Sequence, residues 1–234
     1  MHPHDSLASL AYSDSKHSPE SGRDIQFPGN GGLVLSATQF GDPKSPQVLL
    51  LHGGGQTRHV WQETAEALVK AGRHVISLDL RGHGRSARSE DGRYEFDACV
   101  EDLRAVLAQL ASRPVVVGAG LGGWIALTPI GEEGAHLASG LVLADAPPEI
   151  DLRTAAALAA SIRSAPAQTE HVDPVFGEVI DVEKSSERIS VAASGLKVPV
   201  LFVRGALSSF GNRDAANRFV EKVATAEFAE IEDA

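Results

Sequence analysis

Residues 115–124 read Val-Val-Val-Gly-Ala-Gly-Leu-Gly-Gly-Trp, and this stretch decides the fold. The run of valines favours a buried strand, and the apolar residues that follow the glycines favour a helix. Gly118 and Gly122 permit a sharp turn between the two elements, because glycine has no Cβ to obstruct it. Gly120 stands at the centre of that turn. The stretch therefore predicts a strand that turns abruptly into a helix, with no side chain at the apex.

The glycine spacing of this turn resembles the nucleophile elbow, Gly-x-Ser-x-Gly, of the α/β-hydrolase family. In that motif the central residue is lifted clear of the sheet and attacks the substrate. Here the motif reads Gly118-Ala119-Gly120-Leu121-Gly122, with glycine in the place of the nucleophile. The resemblance implies the scaffold of an elbow without an attacking atom.

Two further segments carry the same resemblance. Val48–Gly55 is an apolar run that ends in His-Gly-Gly-Gly, and it resembles the oxyanion loop of the family. Val75–Ser86 resembles the family's Asp-x-Arg-Gly-x-Gly-x-Ser loop. Three such segments in this order imply the α/β-hydrolase fold, an α/β architecture with a mostly parallel twisted sheet and helices on both faces. We also expect a short cap insertion and a truncated C-terminal end.

Length and charge limit the classes of function. A chain of 234 residues, 43% of them hydrophobic, is long enough to bury one sizeable core. The formal charge of −10 argues against nucleic acid and anionic membranes, which both require basic patches. No apolar run is long enough to span a bilayer, and the first residues lack the pattern of a signal peptide. We expect a cytoplasmic protein that binds a small molecule and needs no cofactor, with its oligomeric state left open.

The single cysteine, Cys99, cannot form an internal disulfide and is typical of a reducing compartment. It falls in an apolar helical stripe that begins at Phe96, so a buried structural thiol is expected. Residues 1–23 are rich in Ser, His, Asp and Pro, and we interpret them as a flexible tail. A metal site is not expected there, because no spacing fixes two of the histidines on one element.

The remaining chain divides into an α/β-hydrolase core, residues 24–147 and 198–234, and an abbreviated helical cap, residues 148–197. Within the cap, the sequence predicts helices at Leu152–Ser164 and around Glu183–Ala193. A cap this short implies a shallow and wetter pocket.

Two local patterns within the core lead to specific expectations. The strands Leu33–Phe40 and Gln47–Leu51 are expected to pair antiparallel, because the linker between them is too short for a helical crossover. Pro129 falls inside the helix that follows the elbow, so that helix is expected to end or kink near Thr128.

The resemblance implies a set of binding residues around the elbow. The backbone N–H groups near Gly53 and Gly54 would join that of Leu121 in an oxyanion cradle. His52 and Trp124 are expected to brace the pocket. Asp79 and Arg81 are expected to fix the neighbouring loop, with Asp79 accepting backbone N–H bonds at the strand end.

The partners of a nucleophile are also altered. Ser209 stands where the family carries its acid, after the strand predicted at Val198–Val203. Asp145 follows the preceding strand and is either an alternative acid or a structural residue that caps a turn. The family's histidine follows the last strand, but this sequence ends there with Glu232-Asp233-Ala234. His83 is interpreted as a loop-bracing residue or as a group at the pocket mouth.

Two interpretations follow from these residues. In the first, the chain derives from a hydrolase of an ester, lactone or epoxide that worked through a covalent intermediate, and it is inactive as written because nucleophile, acid and histidine are missing. In the second, the chain is a pseudoenzyme that binds a small carbonyl or carboxylate ligand at the retained cradle. A third outcome is a chain too poorly packed for either role.

Overall fold

The computed structural model describes residues 22–147, 156, 160, 171–181, 184–208 and 213–233. The strands and helices of the described residues are, in chain order, β1 (Arg23–Pro28), β2 (Val34–Phe40), β3 (Gln47–Leu51), α1 (Gln62–Lys70), β4 (His74–Leu78), α2 (Phe96–Ala108), β5 (Val115–Ala119), α3 (Leu121–Glu133), β6 (Gly140–Ala144), α4 (Pro174–Val179), α5 (Ser186–Ser194), β7 (Val200–Gly205), α6 (Arg213–Lys222) and β8 (Ala226–Ile231). Within this part of the chain, no helix is long and apolar enough to cross a membrane.

The strands form one eight-stranded sheet in the order β1-β2-β4-β3-β5-β6-β7-β8. Strands β4, β3 and β5 to β8 run parallel to one another, whereas β2 pairs antiparallel with both β4 and β1. The predicted α/β-hydrolase fold, with its mostly parallel sheet, is therefore confirmed. Because the carboxyl ends of parallel strands share one edge, the turns after β3, β4, β5 and β6 lie together there.

Helices pack on both faces of the sheet. Leu49 and Leu51 of β3 belong to the larger core, which α2, α3, α5 and α6 cover. Val48 and Leu50 alternate with them and belong to a smaller cluster beneath α1. Burial on both faces explains why β3 reads as a continuous apolar run, as strands of covered parallel sheets do.

Coverage of the α1 face weakens beyond β5. Val117 contacts the smaller cluster from β5, and its register partners are Val142 of β6 and then Leu201 of β7. All three are only half-buried, because α1 lies over β4 and β2 rather than over the later strands. The two faces of the sheet therefore differ in how well they are packed.

Strand pairing at the N-terminal side differs from the sequence prediction. The predicted antiparallel pair of β2 with β3 is wrong, because β4 lies between them and β2 pairs antiparallel with β1 and β4. The linker after β2 passes over β4 to reach β3, so a short linker does not require β2 and β3 to be paired. Strand β1 was missed, since only Ile25 and Phe27 provide its apolar alternation.

Helix α3 runs continuously from Leu121 to Glu133, so the predicted break near Thr128 is wrong. Pro129 lies inside the helix and lacks the N–H that would complete the ladder. The Thr128 hydroxyl donates to the Trp124 carbonyl oxygen at 2.9 Å. Almost the whole helix is buried, and this packing outweighs the local cost of the proline.

The structure describes only part of the predicted cap and tail. Residues 1–21 and most of the helix predicted at Leu152–Ser164 lie outside the described residues. The second predicted cap helix corresponds to α5, which packs on α3 so closely that a Cβ built on Gly131 would lie 2.0 Å from the Ala192 carbonyl oxygen. This helix therefore contributes to the core layer.

Candidate functional site

The turn between β5 and α3 has a left-handed backbone at its apex. Gly120 adopts φ 47° and ψ −115°, and its N–H donates to the Ala144 carbonyl oxygen at 2.9 Å. This hydrogen bond ties the turn to the end of β6. A Cβ built on Gly120 would meet nothing within 4 Å. The apex therefore has room for a side chain, although its backbone angles favour glycine.

The glycines around the apex are required by close backbone contacts. A Cβ on Gly118 would lie 2.5 Å from the Gly122 carbonyl oxygen, and one on Gly122 would lie 2.5 Å from the His52 carbonyl oxygen. Gly123 would meet the Ala146 side chain at 2.4 Å. The first turn of α3 is thus pressed against the turn that follows β3.

Residues 52–55 form the turn predicted as an oxyanion loop. The Gly53 N–H donates to the Gln56 side-chain oxygen at 3.0 Å, so it is already satisfied. Among the described residues, the N–H groups of Gly54 and Leu121 have no hydrogen-bond acceptor. Leu121 is the first residue of α3, where a backbone N–H has no intrahelical partner. Among the described residues, therefore, the N–H groups of Gly54 and Leu121 are unpaired, whereas that of Gly53 is paired with Gln56.

His52 is fully buried and uses both ring nitrogens. Its Nε2 accepts the Leu80 N–H at 3.0 Å, so the proton lies on Nδ1, which donates to the Gly53 carbonyl oxygen at 2.8 Å. Burial lowers the pKa of His52 and keeps the ring neutral. The ring joins the turn after β3 to the end of β4.

His83 also uses both of its ring nitrogens in hydrogen bonds, and 1% of its surface is exposed. Its Nε2 accepts the Gly55 N–H at 3.1 Å and its Nδ1 donates to the Arg81 carbonyl oxygen at 2.9 Å. Burial lowers the pKa of His83 to about 3, and the nearby His52 adds to the shift. Neither of these two histidines has a free nitrogen with which to accept a proton from a nucleophile.

The other described histidines differ from His52 and His83 in position or exposure. His74 begins β4, at the opposite edge of the sheet from the carboxyl ends of the strands. His59, His136 and His171 are exposed. Within the described ranges, no group of three or more His, Cys, Asp or Glu side chains is arranged to hold a metal ion.

Of the two predicted acid positions, the structure describes only Asp145. Ser209 lies outside the described residues. Asp145 has φ 47°, and its carboxylate accepts the Gly205 N–H at 3.0 Å. Its own N–H donates to the Val203 carbonyl oxygen at 2.9 Å, so Asp145 joins the ends of β6 and β7.

Trp124 is buried in the first turns of α3. Its indole N–H donates to the Pro147 carbonyl oxygen at 2.8 Å. This bond fixes the segment that leaves β6 against the helix that follows the elbow.

Buried ion pairs hold the loop after β4. Asp79 accepts the backbone N–H of Arg58 at 2.7 Å and that of Arg85 at 2.9 Å, and it also pairs with the Arg58 guanidinium. Arg81 pairs with Asp102 of α2 through two nitrogens, at 2.6 and 2.8 Å. The prediction that Asp79 accepts backbone N–H bonds is confirmed.

Sequence reasoning missed several residues of this region. Gln56, which satisfies Gly53, carries no pattern that distinguishes it from a surface residue. Tyr94 donates to Asp173 at 2.7 Å, and Asp173 caps the first turn of α4. The Asp173-Pro174 step is a helix-start signal that was available in the sequence.

A family model described as "Alpha/beta hydrolase family" matches residues 48–225, which is more than half of the chain. The match includes all three segments on which the resemblance was based.

Individual relatives match shorter stretches. An esterase of Mycobacterium tuberculosis is 39% identical over 116 residues, which cover 49% of this chain and 37% of the relative. Epoxide hydrolase A of the same organism is 36% identical over 89 residues, covering 37% of this chain and 28% of the relative. The chain thus matches about a third of the length of these curated relatives.

Solved structures resemble the chain over nearly all of its length. The 2-hydroxy-6-oxo-6-phenylhexa-2,4-dienoate hydrolase of Rhodococcus sp. strain RHA1 superimposes with a TM-score of 0.73. The alignment covers 91% of this chain and 92% of that structure, at 18% sequence identity. At this identity the likeness concerns the fold.

Proposed function

The chain belongs to the alpha/beta hydrolase family, and from this we propose that it descends from a hydrolase of an ester, lactone or epoxide but does not itself hydrolyse through its elbow. The observation that carries this proposal is the backbone of Gly120, which has room for a side chain and offers no attacking atom. Covalent catalysis in this family requires a nucleophilic side chain at that position. The relatives that are an esterase and an epoxide hydrolase support the ancestral reaction.

The histidines beside the turn support the same conclusion. A serine is a weak nucleophile until an adjacent base takes its proton. His52 and His83 each use both ring nitrogens in hydrogen bonds with the backbone. A nucleophile placed at Gly120 would find neither of them available as a base.

The direct test measures hydrolysis of activated aryl esters by the chain and by two serine variants. We expect no burst and no turnover for the unaltered chain. Gly120→Ser should give at most slow acyl release, which added imidazole accelerates because it supplies the missing base. Gly134→Ser is the matched control, since Gly134 also has positive φ and open space but lies at the far end of α3. Saturable turnover by the unaltered chain would disprove the proposal.

A second candidate function is the binding of a small carbonyl or carboxylate compound. The available N–H groups of Gly54 and Leu121 favour it, because the two turns contact each other beside the open space at Gly120. Leu121 begins a 13-residue helix, whose N-terminal end attracts negative charge. The proposed ligand would place its oxygen between these donors.

Titration calorimetry with acetate and propionate tests this candidate. We expect binding in the millimolar range and its loss in Gly120→Leu, because the leucine fills the space above the turn. Gly31→Leu is the control, since Gly31 has φ 70° and an equally open Cβ position on a remote 3₁₀ turn. Absence of heat at millimolar ligand, or equal heat from Gly120→Leu, would count against a site at the elbow.

A further inference from the structure

The segment that precedes α4 is joined to the loop after β4 by backbone pairing. The Gly84 N–H donates to the His171 carbonyl oxygen at 2.7 Å, and the Asp173 N–H donates to the Gly82 carbonyl oxygen at 2.8 Å. Between these bonds, His83 and Val172 form an antiparallel bridge. Helix α4 therefore begins directly beside His83.

Side chains reinforce this junction. The Tyr94 hydroxyl donates to Asp173 at 2.7 Å and accepts the Ser89 N–H at 2.7 Å, while Asp173 caps α4 by accepting the Val175 N–H at 3.0 Å. Phe176 of α4 is fully buried. Tyr94 thus holds the residue that starts α4, and α4 in turn holds Phe176 in the core.

The His83 ring is the link between α4 and the 53–55 turn. The ring makes a T-shaped contact with Phe176, with ring centroids 4.4 Å apart and an interplanar angle of 81°. The Nε2 atom accepts the Gly55 N–H at 3.1 Å. Gly55 has φ 81°, and this bond fixes the end of the turn that carries Gly54.

We propose that His83 is a positioning residue that couples the docking of α4 to the conformation of the 53–55 turn, so that α4 controls the cradle. When Phe176 withdraws, the His83 ring keeps its contact with His52 but loses the one with Phe176, gains water and can rotate away from Gly55. The Gly55 N–H then loses its acceptor and the turn is released. The coupling is reciprocal, so a ligand bound between Gly54 and Leu121 stabilises docked α4. The role of this ligand rests on the proposed binding function, whereas the coupling involves only groups of the chain.

Amide hydrogen exchange measured by NMR on the full chain without ligand tests the coupling. Tyr94→Phe keeps the ring beside Phe176 but removes the hydroxyl that holds Asp173. We expect exchange at Ile180, whose N–H donates to the Phe176 carbonyl oxygen at 3.0 Å, to rise about fivefold, the effect of losing one buried hydrogen bond. Exchange at Gly55 should rise with it.

Thr128→Val is the matched control, because it also removes a buried hydroxyl that donates to a carbonyl oxygen, but in α3. Its exchange at Gly55 should equal that of the unaltered chain. If Tyr94→Phe accelerates Ile180 and leaves Gly55 unchanged, the two elements are independent and the proposal is wrong.

Two His83 variants separate the ring contact from the hydrogen bond. His83→Phe keeps a ring against Phe176 without an acceptor, so exchange at Gly55 should already be fast and Tyr94→Phe should add nothing further there. His83→Gln offers a side-chain oxygen to Gly55 and should restore at least part of the protection. Slow exchange at Gly55 in a folded His83→Phe variant would also refute the proposal.

Carboxylate calorimetry on Tyr94→Phe distinguishes failure of the coupling from failure of the binding function. If Gly55 responds to Tyr94→Phe but no carboxylate binds, the coupling stands and the binding function fails. If carboxylate binds with unchanged affinity while Gly55 does not respond, the binding function stands and the coupling fails.

Discussion

Gly120 shows how much one residue contributes to the character of this site. Its backbone has the angles of a turn that presents a side chain, and the space above it is open, yet no side chain is there. Gly122, two residues further on, is different, because the backbone of His52 fills the position of a Cβ. Space therefore allows a side chain at Gly120, whereas the backbone of His52 requires glycine at Gly122.

Serine substitutions at these two positions should have unequal costs. Gly120→Ser adds a side chain at φ 47° and ψ −115° and should lower the free energy of unfolding by about 1–3 kcal/mol, the cost of a non-glycine residue in a sparsely populated backbone conformation. Gly122→Ser must move backbone atoms of the turn after β3 and should cost more, roughly 3 kcal/mol or above. Urea denaturation measures both values. Equal costs would mean that the contact of Gly122 with His52 does not constrain the turn.

At the scale of elements, the sheet is packed differently on its two faces. Leu141 of β6 points into the larger core and is 1% exposed. Leu201 of β7 lies on the α1 face and is only half-buried. Both are leucines in neighbouring parallel strands, so the difference between them reflects the helices above each face rather than residue type.

Alanine substitutions of Leu141 and Leu201 should destabilise the chain unequally, because the two faces of the sheet are not equally covered. Leu141→Ala leaves a cavity in the larger core and should destabilise the chain by about 3 kcal/mol. Leu201→Ala removes a side chain that is partly in water already, and about 1 kcal/mol is expected. Thermal or urea unfolding gives both numbers. A cost for Leu201→Ala as large as that for Leu141→Ala would show that the α1 face is covered as well as the other.

At the scale of the whole molecule, the edge of the sheet that carries the cradle is held by buried neutral histidines. His52 and His83 lie 5.0 Å apart between ring centroids, and their four ring nitrogens bond the turns after β3 and β4. Protonating either ring would remove the acceptor that its Nε2 provides. The folded chain therefore excludes a proton that the unfolded chain accepts.

This exclusion makes stability depend on pH. Burial lowers the pKa of both histidines in the fold, that of His83 to about 3, whereas in the unfolded chain they titrate near the ordinary value of about 6.5. Their contribution to stability is therefore complete above pH 6.5 and is lost as pH falls below it. Between pH 7 and 5.5 the free energy of unfolding should drop by roughly 1 kcal/mol because of His83, and His52 changes it in the same direction.

Urea unfolding at several pH values measures this drop. His83→Gln should reduce it by about 1 kcal/mol, because one group that titrates only in the unfolded chain is removed. His59→Gln, which replaces an exposed histidine, serves as the control for the loss of one histidine side chain. An identical pH dependence for His83→Gln and the unaltered chain would contradict this account.

The sequence pattern correctly predicted the elements that depend on neighbouring residues in the chain. The elbow strand, the turn and the start of α3 follow from valines and glycines in one ten-residue stretch, and α2 follows from its apolar stripe. Pairing of β2 with β4 was not predictable from the length of the linker between β2 and β3, because that length does not indicate that β4 lies between them. The break expected at Pro129 failed for a similar reason, because burial of α3 outweighs the preference of one residue.

The sequence by itself determined the family fold, the glycine at the apex and the identity of the residues around it. Only the tertiary structure decided which of them are available. Gly53 is satisfied by Gln56, while His52 and His83 are committed to backbone partners from other strands. Hydrogen-bond partners distant in the chain leave no periodic signal in the sequence, because they depend on how strands are placed side by side. The sequence therefore shows that glycine occupies the apex, and the fold shows which of the surrounding groups are already hydrogen-bonded.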